Sequence, residues 1–295
     1  MRTLSHCDLV HAHWVEPGFI AALANVLHHR PLVLTVHSLM PKLNRMQLLA
    51  LRRADRVLFN SRYTMEQAIA RGRCCKGEVV YQGYDAKLFS KLQRTGEIRS
   101  RLGIPDDATV VTAVGRMIPL KGMQVLMSAA PAILADRPKA HLVLAGDGPL
   151  RSELQAQAAR SAYGDRIHLP GALSRRDVAR LFADADVCVA PGIVDTTGRA
   201  ESFGITMEES MASGLPCVGS RVGGIPETIG DGVTGLLIEP GNPSVLASAI
   251  LQLVDDAELR QRMGRAGQMR AEEHFAWPVL ARQVVEIYHQ LVSVR

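Results

Sequence analysis

Two glutamates, Glu201 and Glu209, are separated by seven residues around the run Glu201-Ser202-Phe203-Gly204. Gly204 lets a loop turn into a helix, and the apolar pattern carries that helix to about Ser213, where Gly214 stops it. The start of such a helix exposes unpaired N–H groups and the positive end of the dipole, which suits a phosphate. Glu201 stands in the loop ahead of the helix and can reach over a ligand there. Glu209 lies just over one turn in, where its carboxylate could accept hydrogen bonds from ribose hydroxyls. Dipole stabilisation of acids in a first turn is the plain alternative for Glu208 and Glu209. It does not account for Glu201 or for the loop Pro191 to Arg199 before it.

Gly115-Arg116 and Lys121-Gly122 follow the apolar run Val110 to Val114. In open α/β sheets, ligands bind beyond the carboxyl ends of the strands. A planar guanidinium and an ammonium on one such loop can clamp a diphosphate. Ordinary surface charge is the competing reading. Gly146-Asp147-Gly148-Pro149 follows the run His141 to Ala145, and its glycines permit a tight turn with close backbone approach, although a plain strand-to-helix turn would look the same. Asp8-Leu9-Val10-His11-Ala12-His13 ends a strand on two histidines, a pattern that on its own is more often structural than functional.

The elements that must hold these residues alternate. Strand-like runs fall at 8–12, 31–36, 56–59, 79–82, 109–114, 141–145, 166–169, 187–190, 216–219 and 235–238. Helix-length segments such as Gly122 to Leu134, Pro149 to Arg160, Ser174 to Ala183 and Gly204 to Ala212 separate them, Ser244 to Glu273 reads as helical, and Trp277 to Val292 has apolar residues at helical spacing. This alternation implies parallel sheets covered by helices on both faces. The 295 residues fit two domains. The expected division is 1–89 for a first Rossmann-like domain, 90–105 for a polar interdomain segment, 106–275 for a second, nucleotide-binding Rossmann-like domain, and 276–295 for a last helix.

Composition excludes several classes. Hydrophobic residues make up 47% and charged residues 21%, ample for packed cores and against disorder. The formal charge of +5 is scattered, aromatics are only 4%, and no recognition module appears, so a nucleic-acid partner is not expected. The positive excess suits a phosphorylated substrate or peripheral association with an anionic membrane face. Five cysteines (Cys7, Cys74, Cys75, Cys188 and Cys217) give an odd count without C-x-x-C spacing, which reads as a reduced cytoplasmic protein without structural zinc. No apolar run reaches the length of a transmembrane helix.

Taken together, these motifs resemble the family-4 retaining glycosyltransferases of the GT-B fold, whose mark is two glutamates with this separation. Gly115-Arg116 with Lys121-Gly122 is similar to the family's diphosphate clamp, and Gly146-Asp147-Gly148-Pro149 to its next loop. Ser220 to Glu227, with Gly223-Gly224-Ile225-Pro226-Glu227, and Asp231 to Leu237 match two further segments. The resemblance covers about residues 8 to 290. It implies two Rossmann-like domains facing a cleft and transfer of a hexosyl group from a nucleotide-diphospho-sugar, with retention of configuration. By the same resemblance, Arg116 and Lys121 neutralise the departing diphosphate; Gly115, Gly146, Gly148 and Ser202 line its site; Phe203, Gly204 and Ile205 offer backbone N–H groups; Glu209 holds ribose; Glu201 contacts the donor sugar. His13, with His11 behind it, is the histidine presented to that sugar. Thr35-Val36-His37-Ser38 and Asn60-Ser61 match strand ends facing the cleft, and Phe275 to Leu291 matches a helix crossing back to the first domain. Gln82-Gly83-Tyr84-Asp85 departs from the usual Asn-Gly-Val-Asp. These enzymes commonly need no metal or other cofactor, and Asp184-Ala185-Asp186 reads as a turn before a strand, not as a metal motif. UDP-hexose and GDP-mannose are the leading donors, a saccharide or lipid-linked molecule is the expected acceptor, and cell-envelope or exopolysaccharide synthesis is the expected setting.

The first domain offers about four strands where a full doubly wound domain has about six. The expectation is therefore an incomplete acceptor-side domain, from a misplaced start or a degenerate copy, with the strand at Asp8 as an exposed edge. A non-catalytic nucleotide-sugar-binding remnant and a nucleotide-sugar epimerase on the same fold are the competing functions.

Overall fold

The computed structural model describes residues 6–38, 44–72, 77–90 and 92–293. Cys74, Cys75 and Lys91 lie outside them.

Two parallel sheets organise the chain. The first comprises β1 (Val10–His13), β2 (Leu32–Val36), β3 (Arg56–Phe59) and β4 (Glu78–Val79), in the order β1-β2-β3-β4 with β1 at one edge. The second comprises β5 (Thr109–Val114), β6 (Ala140–Ala145), β7 (Ile167–Gly171), β8 (Val187–Ala190), β9 (Cys217–Ser220) and β10 (Gly235–Ile238). Its order is β10-β9-β8-β5-β6-β7. That is the doubly wound order, reversing direction between β5 and β8, where such sheets bind ligands. All ten strand-like runs of the sequence are strands.

The first half carries helices α1 (Val15–Ala24), α2 (Arg45–Arg53), α3 (Arg62–Ala70), α4 (Ala86–Phe89) and α5 (Glu97–Leu102). The second half adds α6 (Met123–Leu134), α7 (Arg151–Arg160), α8 (Arg175–Asp184), α9 (Ile205–Ala212), α10 (Ile225–Thr228), α11 (Pro243–Asp255), α12 (Ala257–His274) and α13 (Trp277–Ser293). The stretch 244–273 is two helices, not one. Asp256 adopts an extended backbone, and its side chain accepts the Leu259 N–H as an N-cap, which starts α12 anew.

The strands of the second sheet are apolar on both sides because both sides are covered. Val111, Leu142 and Leu144 meet Leu126, Ile133, Ile250 and Leu253 on one face. Val110, Val143 and Cys188 meet Phe182, Met211 and Phe275 on the other. In the first sheet, Leu34, Val36, Val57 and Phe59 pack against Leu51 and Ala68. Its opposite face, Val33 and Leu58, is closed by Ile287 of α13, so the end of the chain completes the core of its beginning.

The polar segment between the sheets is anchored to the second one. Arg99 of α5 is 1% exposed. Its guanidinium donates to the carbonyls of Asp184, Pro105, Asp106 and Ala108 and to the Asp186 carboxylate. The Asp184 carboxylate accepts the N–H groups of Thr95, Gly96 and Ile98, capping α5 from across the domain. Asp184 ends α8 and Asp186 precedes β8, so this Asp-x-Asp holds an arginine and a helix start.

No helix among the described residues is long and apolar enough to cross a membrane.

Candidate functional site

The site forms at the carboxyl ends of β5 and β8. After β5 the chain passes through Gly115 and Arg116 to a short 3-10 turn, Pro119–Lys121, and Gly122 leads into α6. Gly122 has φ 69°, and a Cβ there would lie 1.7 Å from the Pro191 carbonyl oxygen. The loop after β5 therefore touches the loop after β8 at a point that admits no side chain. The turn after β6 braces the same loop from the other side. The Met117 N–H donates to the Asp147 carbonyl and the Leu150 N–H to the Met117 carbonyl, with Gly146 and Gly148 packed against Gly115 and Met117.

This bracing brings Lys121 to Glu201. Their side chains are only 22% and 17% exposed and form an ion pair through Nζ and Oε2. Glu201 is itself held from behind. Gly223 (φ 61°) would place a Cβ 2.0 Å from the Glu201 carbonyl oxygen, and the Gly224 N–H donates to that same oxygen. The turn Gly223-Gly224 is thus a support under the Glu201-Ser202 loop. Arg116, Glu201 and Ser202 line one wall of an interdomain cavity of about 160 Å³, and Ser38, Tyr63 and Arg71 line the opposite wall.

Helix α9 starts at Ile205 beside this cavity, with Gly204 as its N-cap. The Phe203 ring is 1% exposed and turned away, stacked on Tyr81 at 5.0 Å and edge-on to Phe275. Gly204 lines the cavity that holds Lys121 and Glu201, at a helix start whose first amides have no intrahelical acceptor. The two acids deeper in the helix differ. Glu208 is fully buried, no described group bonds its carboxyl oxygens, and burial, with Glu209 adding, pushes its pKa well above the carboxylate range. Burial rather than the helix dipole dominates its setting. Glu209 is 12% exposed and accepts a bond from Arg175 at 3.0 Å. Burial raises its pKa to about 7 against the opposing pull of Arg175.

The histidines stand on the other domain. His11 is engaged at both ring nitrogens, Nε2 with Thr35 Oγ1 at 2.7 Å and Nδ1 with the Tyr288 hydroxyl of α13. Burial and the neighbouring His13 and His37 hold its pKa down at about 4. His13, at the exposed carboxyl end of β1, bonds His37, the neighbour of the cavity-lining Ser38. The folded chain therefore joins Lys121 directly to Glu201, and Glu201 in turn shares the interdomain cavity with Arg116. Glu209 lies on its own ion pair with Arg175, and His13 stands on the opposite domain. The sequence gives no role to Arg175 or Tyr288, and marks Glu227 and Gln82 only as members of motifs, because their partners are distant in sequence.

Glu227, last residue of the run Gly223 to Glu227, links the domains. Its carboxylate accepts the Arg62 and Tyr63 N–H groups at 2.7 and 2.8 Å, at the start of α3. A carboxylate on a helix N-terminus gains from both hydrogen bonds and dipole. Glu227→Ala should cost about 1–2 kcal/mol of that contact, shifting the balance between open and closed domains by a factor of about 5–30. Small-angle scattering reads this as a larger radius of gyration; scattering curves identical to wild type would overturn it.

Comparisons with known proteins bear on the family and the fold. The family model described as "Glycosyl transferases group 1" matches residues 95–270, and "Glycosyltransferase Family 4" matches residues 1–88. The D-inositol 3-phosphate glycosyltransferase of Streptomyces avermitilis is 30% identical over 95% of this chain and 65% of its own length. A GDP-mannose-dependent monoacylated alpha-(1-6)-phosphatidylinositol monomannoside mannosyltransferase of Corynebacterium glutamicum is 29% identical over 79% of this chain and 61% of its own. Among solved structures, Anabaena Alr3699/HepE in complex with UDP superposes with a TM-score of 0.87 at 25% identity, covering 98% of this chain and 80% of that one. Sucrose-phosphate synthase from Thermosynechococcus elongatus gives 0.81 at 26%, over 98% and 74%. The chain spans about two thirds of the length of the curated relatives it matches.

Proposed function

Since the chain belongs to the group 1 glycosyl transferases, we propose that it moves a hexosyl group from a nucleotide-diphospho-sugar to an acceptor, with retention of configuration. The observation that carries this is the convergence of Lys121, Glu201 and the start of α9 at the switch point of a doubly wound sheet. Fixed positive charge where a diphosphate departs is the main source of rate in such a site. Lys121 and Arg116 supply that charge, and the amides of Phe203, Gly204 and Ile205 add donors. Glu209 accepts the ribose hydroxyls once Arg175 gives way, and Glu201 holds the donor sugar. On this reading no metal or other cofactor takes part.

UDP and GDP are the leading leaving groups: Alr3699/HepE is solved with UDP, and the Corynebacterium relative is named for GDP-mannose. The acceptor is a saccharide or lipid-linked molecule of cell-envelope or exopolysaccharide synthesis, met in the cytoplasm or at the inner membrane face. Thermal-shift measurements with UDP, GDP and ADP test the reading. At hundredfold excess over Kd, the matching nucleotide should raise Tm by about 5–10 °C. No shift with any of the three would sink it.

Glu209 makes a second expectation. Its pKa is raised from 4.5 to about 7, so the folded chain holds that proton more tightly than the unfolded chain. Its contribution to stability is full below about 4.5 and is lost as pH rises through about 7. Ionisation also creates the acceptor a ribose hydroxyl needs. Affinity for the nucleoside diphosphate should therefore rise between about pH 6 and about pH 8, as calorimetric titration would read. An affinity falling across that window would remove Glu209 from the ribose site.

A further inference from the structure

At the carboxyl end of the first sheet, three side chains form a directed series of hydrogen bonds. Gln82 Nε2 lies 2.8 Å from His37 Nδ1. His37 Nε2 lies 3.0 Å from His13 Nδ1, the two rings being nearly parallel at 14° with centroids 5.2 Å apart. A carboxamide nitrogen only donates. His37 Nδ1 must then accept, which puts the proton of a neutral His37 on Nε2. That proton points at His13 Nδ1, which accepts in turn, so the proton of a neutral His13 sits on Nε2, which has no hydrogen bond among the described residues.

Resting on the donor-site reading above, we propose that Gln82 is a positioning residue. Through His37 it fixes the tautomer of His13, so that His13 presents Nε2–H to a hydroxyl of the donor sugar.

Three further observations support the assignment. The series is anchored: Asn60 Nδ2 donates to the His37 carbonyl at 2.7 Å, and the Trp277 indole N–H donates to the Gly83 carbonyl, beside Gln82, at 2.8 Å. The end of the series is under backbone tension, with Trp14 at φ 72° and its ring 5.0 Å from that of His37. Burial, with His13 adding, lowers the His37 pKa and favours the neutral ring that the series requires. His11 takes no part, both its nitrogens being engaged by Thr35 and Tyr288. Gln82 also stands where the resemblance has asparagine, so this chain builds the series with its own residue.

Two-bond 1H–15N spectra of the labelled full chain identify which ring nitrogen of each histidine carries the proton. At neutral pH, His13 and His37 should both appear as Nε2–H tautomers. In Gln82→Glu the carboxylate can only accept, so the proton should move to His37 Nδ1. Gln82→Leu, which adds no charge, should give a mixture of tautomers at both rings. In either variant, turnover of UDP-hexose or GDP-mannose should fall about tenfold, the scale of one hydrogen bond to the sugar. Affinity for the sugar-free nucleotide should not change. Nδ1–H tautomers in the wild type overturn the proposal, as does a single Nε2–H tautomer retained at both rings in a folded Gln82→Leu chain. Failure of the wild type to bind any nucleotide would instead overturn the donor-site reading and leave the tautomer assignment standing.

Discussion

Lys121→Ala should lower kcat/KM for glycosyl transfer by a factor of about 10²–10³, the scale of one preorganised charge removed from a developing anion. The reason goes beyond a missing cation. The Lys121 ammonium is paired with Glu201, and both side chains are largely shielded from water. An incoming diphosphate must take Lys121 from that pair. Without the lysine, the Glu201 carboxylate remains as an uncompensated negative charge facing the phosphates. Glu201→Gln should act in the opposite sense on binding. It frees Lys121 and removes the repulsion, worth about 1 kcal/mol for a partly exposed pair, so nucleotide affinity should rise about fivefold. Transfer should nevertheless fall, because the contact to the sugar is lost. Calorimetry and turnover on the two single variants and the double variant separate these contributions. The double variant should regain nucleotide affinity relative to Lys121→Ala without regaining turnover. Wild-type affinity in Lys121→Ala would end the clamp assignment.

The second large effect concerns stability. Arg99→Met should destabilise the chain by about 3–5 kcal/mol, the cost of removing one partner from a buried ion pair. The methionine fills much of the volume but takes the guanidinium from four carbonyls and leaves Asp186 only Arg94 and the Val110 N–H. Arg99→Lys should not rescue it, since an ammonium cannot match the planar fork that reaches these acceptors in several directions. Urea unfolding should show a lower midpoint with unchanged m. A loss under about 1 kcal/mol would mean the cluster is no stronger than a surface pair.

Arg99 also marks where sequence reading reaches its limit. The strands were legible because their signal is local: apolar runs such as Val110 to Val114 bounded by turn residues. The Arg116–Lys121 loop and the two-glutamate pattern stand out in the sequence because their spacing lies within single loops and one helix. Asp184-Ala185-Asp186 read as a turn because its partner, Arg99, is 85 residues away through the Asp184 carbonyl. The Lys121–Glu201 pair and the series Gln82–His37–His13 were hidden for the same reason, since each is made by the meeting of distant loops. Helix α1 has no such local signal, since Pro17 and Gly18 sit inside it. There Gly18 lies against Leu34, where a Cβ would come within 2.6 Å of its side chain. The break at Asp256 is a single extended residue between two helical patterns, too brief to interrupt the periodicity. The resemblance implies a ribose contact for Glu209, but its pKa, raised by burial against the pull of Arg175, depends on packing that spacing does not encode.

The closing of the first sheet by α13 has a consequence for how the chain comes into being. Tyr288 meets His11 across 277 residues. At roughly 5–20 residues per second on the ribosome, the first sheet waits roughly 10–40 s for the helix that covers Val33 and Leu58. The second sheet has all its strands by Ile238 and can fold while that face is still bare. The first sheet is thus finished only after the second has its strands, and the face of Val33 and Leu58 is the apolar surface a chaperone would shield during synthesis.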